Sequence, residues 1–360
     1  MAATLDYAVP TGEFIAEWMD DAGINAAELS RRLGVTPKHV SELLSGKAPL
    51  SHALALALER VTGVPARIWN LYESGYRDAL AREATTKDLE AQYEAAKAFP
   101  LGYLRKWRLI DAPARDHAST VRQLLEFLRV ASLEAFETSW SRGNVAYRRS
   151  AVGREKAEAL ATWLVLAERQ LDGLRDIPSF DRQGLTELLP RLRSMTRENP
   201  DVAIEQAIEA LESVGVVLRL VPAVPGLGLH GATRWVDGRP VIQLSLLWKT
   251  DDQLWFTLFH ELGHVLLHSE RSLFVAGAGA GVDGETEAEA EADRFAAETL
   301  IPTGYEDRLP RTRDVSAIES LAAELGIAPS IVLGRAQRLT LDYAWGQALR
   351  HRLEFTPPEA

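Results

Sequence analysis

QLWFTLFHELGHVLLHSE, residues 253–270, is the stretch on which the fold turns. Its only helix breaker is Gly263, and Phe256, Leu258, Phe259, Leu262, Val265 and Leu266 make it apolar nearly all round, so it reads as a buried helix. Inside it lies His260-Glu261-Leu262-Gly263-His264. A step of four residues is about one helical turn, so His260 and His264 leave the helix from one face. Buried imidazoles need polar partners. Two of them one turn apart can reach a single zinc ion at ~2.0–2.1 Å. Glu261 then falls beside the metal, where it can take a proton from water as a general base. The chain has eight histidines, so chance produces this five-residue pattern at roughly the one-in-a-hundred level and the surroundings must be weighed with it.

A third donor must be His, Asp or Glu, because the chain has no cysteine. TEAEAEADRFAAETLIP, residues 286–302, reads as a helix stopped by Pro302. Its run of Glu285, Glu287, Glu289 and Glu291 would ordinarily be a solvated acidic face. Glu289 and Asp293, however, share a face one turn apart. Glu289 is the candidate third ligand, with Glu291 the alternative. Asp293 is the candidate acceptor for the second N–H of a ligand histidine, which would fix that ring's tautomer. His268 continues the four-residue series and is expected to cap the helix end or line a cleft, the structural role being favoured. His230 is either an oxyanion donor or an exposed loop histidine.

FTLFHELGHVLLH together with EAEADRFAAETLIP resembles the ImmA/IrrE family of metallopeptidases, with weaker similarity over most of 80–350. The resemblance implies that His260, His264 and the glutamate matching Glu289 in E-x-E-A-D-x-F-A (289–296) bind zinc. It also implies cleavage of transcriptional repressors.

AAELSRRLGVTPKHVSELLSGKAPL, residues 26–50, carries the punctuation of a helix-turn-helix. AAELSRRL is a short helix, Gly34 makes the turn, Thr36 is an N-cap and Pro37 sits at the first helical position. Val40, Leu43 and Leu44 face inward on the second helix. Thr36, Lys38, His39 and Ser41 would then meet a major groove, with Lys47 on a phosphate. Residues 8–75 resemble HigA-type antitoxins, a branch of the Xre-like helix-turn-helix proteins. One feature opposes DNA affinity. Arg31, Arg32, Lys38, Lys47, Arg60 and Arg67 are outnumbered by Asp6, Glu13, Glu17, Asp20, Asp21, Glu28, Glu42, Glu59 and Glu73, which predicts weak non-specific binding. A homodimer reading two half-sites would compensate; a bundle used only for protein contacts is the competing reading.

Between these ends the chain is patterned for helices. VRQLLEFLRVA (121–131) and KAEALATWLVLAERQL (156–171) carry apolar residues at helical spacing. VAIEQAIEALESVG (202–215) is an amphipathic helix and VVLRLV (216–221) a strand. GATRWV and RPVIQLSL flank Asp237-Gly238, a type I′ hairpin signal. Val241–Leu244 is the expected open edge for an extended substrate. VAGAGAGVDGE (275–285) is expected to be a loop, and helix returns from about Val315 to Leu353, where IESLAAELGIAPSIVLGRAQR (318–338) reads as a helix pair packed on the core.

Taken together, the sequence predicts a mainly helical α+β chain. Residues 8–77 form a helix-turn-helix bundle and 78–200 a helical connector. Residues 201–310 form a zincin-like peptidase domain with a small antiparallel sheet, and 311–360 a C-terminal helical segment. Net charge is −11, so contact with nucleic acid must be local. No apolar run nears the ~20 residues of a membrane helix. MAATLDYAVPTGEF lacks the basic and apolar regions of a signal peptide. A cytoplasmic protein is expected, with operator DNA, a protein substrate (a repressor or antitoxin) and a toxin as partners. The leading function is a zinc endopeptidase that cuts that substrate or itself. The alternative is a DNA-binding repressor or antitoxin whose zinc domain is a sensor or scaffold. Two features favour the enzyme: a structural zinc needs no Glu261, and it is expected to have four protein ligands where three are found.

Overall fold

Helical periodicity dominates the chain, and only four short segments among the described residues form strands. The computed structural model describes residues 9–141, 157–171, 177–247, 249–268, 274–277 and 287–355. Two compact units divide the chain: Met1–Tyr93 with Arg115–Val121, and Glu94–Ala114 with Arg122–Ala360.

In the first unit, five helices close on one core: α1 (Thr11–Asp21), α2 (Ala26–Leu33), α3 (Pro37–Leu44), α4 (His52–Thr62) and α5 (Ala66–Ala91). Ile15, Leu29, Val40, Leu43, Leu58 and Trp69 fill it. Side chains set the helix starts, each satisfying a backbone N–H that has no partner within its helix. Asn25 accepts from Glu28 N at 3.0 Å, Thr36 from His39 N at 3.2 Å and Ser51 from Leu54 N at 3.2 Å. Buried Glu73 ties α5 to α1, accepting from Thr11 Oγ1 at 2.7 Å and from Arg77 Nε at 2.7 Å.

The second unit begins with shorter helices. They are α6 (Tyr93–Ala96, which straddles the division), α7 (Leu101–Lys106), α8 (His117–Leu128, which also straddles it) and α9 (Leu133–Ser141). Helix α10 (Ala157–Arg169) forms where the helical spacing predicts it, and every residue from Leu160 to Ala167 is buried. It lies against the sheet, where Gln243 Nε2 donates to Trp163 O at 2.6 Å and Arg234 donates to Leu164 O at 3.2 Å and pairs with Glu168. Helices α11 (Arg182–Met195) and α12 (Pro200–Ser213) lead into the sheet.

Strands β1 (Val217–Leu220), β2 (Leu229–Val236), β3 (Arg239–Leu244) and β4 (Phe274–Gly277) are ordered β1-β3-β2-β4. Asp237 (φ 49°) and Gly238 (φ 74°) close the β2–β3 hairpin as the sequence predicts. Two expectations change. The small sheet is mixed, since β1 runs parallel to β3 while β2 is antiparallel to both β3 and β4. Val241–Leu244 is not an open edge, because β3 has β1 on one flank and β2 on the other. Alternation tells which face of a strand is buried and not which neighbour it takes. The continuous burial of Pro240–Leu244 is the mark of a central strand. Of the expected loop 275–285, residues 275–277 belong to β4 and 278–285 lie outside the described residues.

Helix α13 (Asp251–Leu267) crosses beneath the sheet and packs along α14 (Glu287–Leu300). Leu254, Trp255, Leu258, Phe259, Leu262 and Val265 join one large core with β1, β3 and the last two helices, α15 (Val315–Leu325) and α16 (Pro329–Thr340). The expected helical stretch to Leu353 therefore ends at Thr340, and the chain beyond it returns to the start of α13. Arg350 Nε donates to Asp252 Oδ2 at 2.9 Å, Asp251 accepts from Ser330 Oγ at 2.7 Å, and Thr250 bridges to Arg352. Among the described residues, no helix is long and apolar enough to cross a membrane.

Candidate metal centre and recognition helix

One turn of α13 and one turn of α14 build the centre. His260 and His264 project from α13 with their Nε2 atoms 3.1 Å apart. Glu289 enters from the first turn of α14, with its Oε2 3.3 Å from His260 Nε2 and its Oε1 3.6 Å from His264 Nε2. Donor atoms of the three residues all lie within 4.8 Å of one another. The two rings are buried, while the Glu289 side chain keeps 26% of its exposure. A nitrogen–nitrogen–oxygen set at this spacing suits a small divalent cation of borderline softness.

Gly263 permits the approach of α14. A Cβ there would lie 3.1 Å from Ala292 Cα and 3.2 Å from Phe295 Cδ1, closer than packed side chains normally allow. The glycine inside the motif therefore brings Glu289 to the histidines.

Asp293, one turn beyond Glu289, takes the outer nitrogen of His260, with Nδ1 and Oδ1 2.9 Å apart. Its other oxygen meets Arg338 at 3.5 Å. Burial opposes charge on His260, yet the hydrogen bonds with Asp293 and Glu289 and the nearby Glu261 and Glu289 carboxylates outweigh it and raise its pKa to about 10. Burial likewise opposes charge on Glu289 and Asp293, and the imidazoles overcome it, holding both below the usual carboxylate range. For His264 burial wins and its pKa falls. The field that keeps a proton on His260 equally favours a metal cation.

Glu261 is not one of the three donors, but its charge acts on His260, and it is fully buried against the sheet. Thr233 on β2 donates to its Oε2 at 2.6 Å. Gly231, two residues earlier, makes room for the carboxylate, since a Cβ there would sit 2.4 Å from Glu261 Oε1. Sequence reading missed both residues; the available signal was their alternate spacing on a strand that must cover the motif helix. His230 is not on a loop. It sits on β2 at an irregularity in the pairing with β4 and is partly buried. Burial and the neighbouring His260 lower its pKa. His268, just past the end of α13, places its Nδ1 3.0 Å from His264 Nδ1 and its Nε2 3.1 Å from Glu291 Oε2. Glu291, the alternative ligand, thus meets His268, and Glu289 meets the histidine pair.

In the first unit, Thr36, Lys38, Ser41 and Lys47 are exposed and His39 is half-buried at the start of α3. The Thr36 hydroxyl caps its own helix. Lys38 lies 3.7 Å from Glu42, and Arg31 and Arg32 both pair with Glu28. Local acids thus offset much of the basic charge near α3.

Comparison with known proteins agrees with both halves. Residues 15–69 match the family described as helix-turn-helix, and residues 212–337 match the peptidase family described as IrrE N-terminal-like domain. A curated relative from Escherichia coli, the uncharacterized HTH-type transcriptional regulator YddM, is 30% identical over 78 residues, which cover 22% of this chain and 81% of the relative. The chain joins a metallopeptidase-like domain, similar over residues 212–337 to the IrrE N-terminal-like family, to a DNA-binding domain, and over residues 15–69 it belongs to the helix-turn-helix family.

Proposed function

We propose that this protein is a zinc-dependent endopeptidase attached to an operator-binding domain, and that it cleaves a transcriptional repressor, an antitoxin or its own chain. The observation that carries this reading is Glu261. It is a buried carboxylate outside the three-donor cluster, adjacent to it in sequence and held by Thr233. A purely structural metal site has no use for such a group, and burying a carboxylate is costly.

His260 and His264 would hold the metal through Nε2, and Glu289 through its carboxylate. When bound, zinc supplies Lewis-acid chemistry: it polarises a carbonyl and makes water a competent nucleophile near neutral pH. Glu261 accepts a proton from the attacking water and returns one to the leaving amine. Thr233 fixes the plane of the Glu261 carboxylate, and Asp293 fixes the His260 ring. The helix-turn-helix directs the protein to an operator in the cytoplasm. There it acts as a homodimer, whose two half-site contacts offset the acidic balance of each copy, with a toxin as a further partner.

The test is Glu261→Gln, which keeps size and hydrogen bonding but cannot take the proton. Purified protein is incubated with zinc and with the repressors and antitoxins encoded beside it. The variant should retain stoichiometric zinc by elemental analysis, while cleavage falls by roughly 10²-fold or more. Equal cleavage by the variant and the wild type would refute the assignment of Glu261.

A further inference from the structure

We propose that His268 and Glu291 form a positioning pair that presents His264 to the metal in the one tautomer able to bind through Nε2. The inference rests on the proposed metal centre and extends it to two residues outside the ligand set.

Hydrogen placement decides the tautomer. His264 and His268 face each other through like atoms, Nδ1 to Nδ1, at 3.0 Å. Only one of the two can bear the hydrogen when both rings are neutral. Glu291 decides which. Its carboxylate only accepts, and it lies 3.1 Å from His268 Nε2. His268 therefore carries its hydrogen on Nε2, which leaves a lone pair on its Nδ1. That lone pair must be met by a hydrogen on His264 Nδ1. His264 is left with its lone pair on Nε2, the atom that faces Glu289 and His260 Nε2. For neutral rings the opposite assignment would aim a lone pair of His268 at the Glu291 carboxylate, outside the donor set, whereas the lone pairs of His264 Nε2 and Glu289 would converge on the cation.

The backbone supports the arrangement. At His268 the helix has ended and the chain is extended (φ −114°, ψ 170°), while its N–H still bonds to His264 O at 3.2 Å. The side chain folds back to place its ring centroid 5.1 Å from that of His264, and it retains only 11% of its exposure. His260 has the same device in a shorter form, with Asp293 directly on its Nδ1. Helix α14 thus supplies one ligand carboxylate, Glu289, and two orienting carboxylates, Glu291 and Asp293. His268 bridges the gap because His264 lies one turn farther along α13.

The experiment compares His268→Phe, His268→Asn and Glu291→Ala in the full-length protein. Zinc affinity is measured by competition with a chelator, and ligand geometry by the visible spectrum of the cobalt(II)-substituted protein. Phenylalanine fills the space of the ring but cannot accept a hydrogen bond. Asparagine places an acceptor oxygen near the position of Nδ1. His268→Phe should weaken zinc binding by roughly 10–100-fold, the usual scale for losing a group that orients a metal ligand, and should alter the cobalt bands. His268→Asn should bind zinc much more tightly than His268→Phe and keep the wild-type bands. Glu291→Ala should weaken binding in the same direction, and it covers the case in which His268→Phe fails to fold. The pair is overturned if His268→Phe or Glu291→Ala binds zinc as the wild type does, or if His268→Asn is as weak as His268→Phe. Wild-type protein that binds no zinc would overturn the metal centre itself, a result distinct from any difference among the variants.

Discussion

Thr233 shows how much a single hydroxyl can govern. It is fully buried on β2 and donates to Glu261 Oε2 at 2.6 Å. Thr233→Val keeps the shape and removes the donor, so a buried carboxylate oxygen loses a hydrogen bond. The expected cost is about 1–3 kcal/mol, read from urea denaturation of the zinc-loaded protein. Cleavage should fall as well, because Glu261 is no longer held. A valine variant with wild-type stability and cleavage would show that the hydroxyl does neither job. His260 gives a second prediction at this scale. Burial disfavours its charge, but Asp293 and Glu289 raise its pKa to about 10 in the metal-free protein, against a usual ~6.5. Near neutral pH a metal must therefore displace a proton from it. The sign follows from the direction of the shift. The stability that the charged ring contributes to the metal-free fold is fully present below the unfolded pKa and is lost as pH rises through about 10. Zinc affinity should rise with pH over the same window. Calorimetric titration of zinc near pH 7, in buffers of differing ionisation enthalpy, should report proton release, and a heat independent of buffer would contradict it.

Between α13 and α14, packing and chemistry are the same problem. Glu289 reaches the histidines only because Gly263 lets Ala292 and Phe295 come close. Gly263→Val should force the helices apart. Overpacking of this kind costs about 1–3 kcal/mol, and here it should also reduce zinc content, measured by elemental analysis on folded protein. Retention of full zinc would mean that α14 can shift without moving Glu289. This interface also marks how far the sequence could be read. The one-turn spacing of His260 and His264, and of Glu289 and Asp293, belongs to helix geometry and is legible in the chain itself. Glu261 is legible for the same reason. Thr233 and Gly231 were not, because their role depends on which strand covers the helix, and strand neighbours are set by tertiary packing. The parallel pairing of β1 with β3 was hidden for the same reason. His268 was visible as a repeat of the four-residue step, but its partner was not. The helix ends at Leu267 and the ring folds back, so helical spacing alone could not aim it at Glu291.

At the scale of the whole molecule, the helix-turn-helix bundle and the candidate metal site lie in two compact units, each with its own core. The candidate metal site and Glu261 belong to the second unit, and α3, the proposed recognition helix, to the first. This separation predicts that damage to one chemistry spares the other. Lys38 and His39 stand at the start of α3, Lys38 exposed and His39 half-buried, and neither belongs to the apolar core of that unit. Replacing both with alanine should leave the fold intact, because Val40 and Leu43 remain to fill the core and Thr36 still caps the helix. Binding to the protein's own promoter should be lost in an electrophoretic shift assay, while zinc content and cleavage stay at wild-type levels. Net charge sharpens the test. With a net charge of −11 and with Glu28 and Glu42 paired to nearby basic residues, the protein has little general attraction for phosphates. Wild-type binding should therefore depend on operator sequence, with unrelated DNA bound weakly even at low salt. If the wild type shifts neither DNA, or if the double variant shifts the promoter as the wild type does, then residues 36–41 do not read an operator, and the helix-turn-helix serves as a protein-contact module.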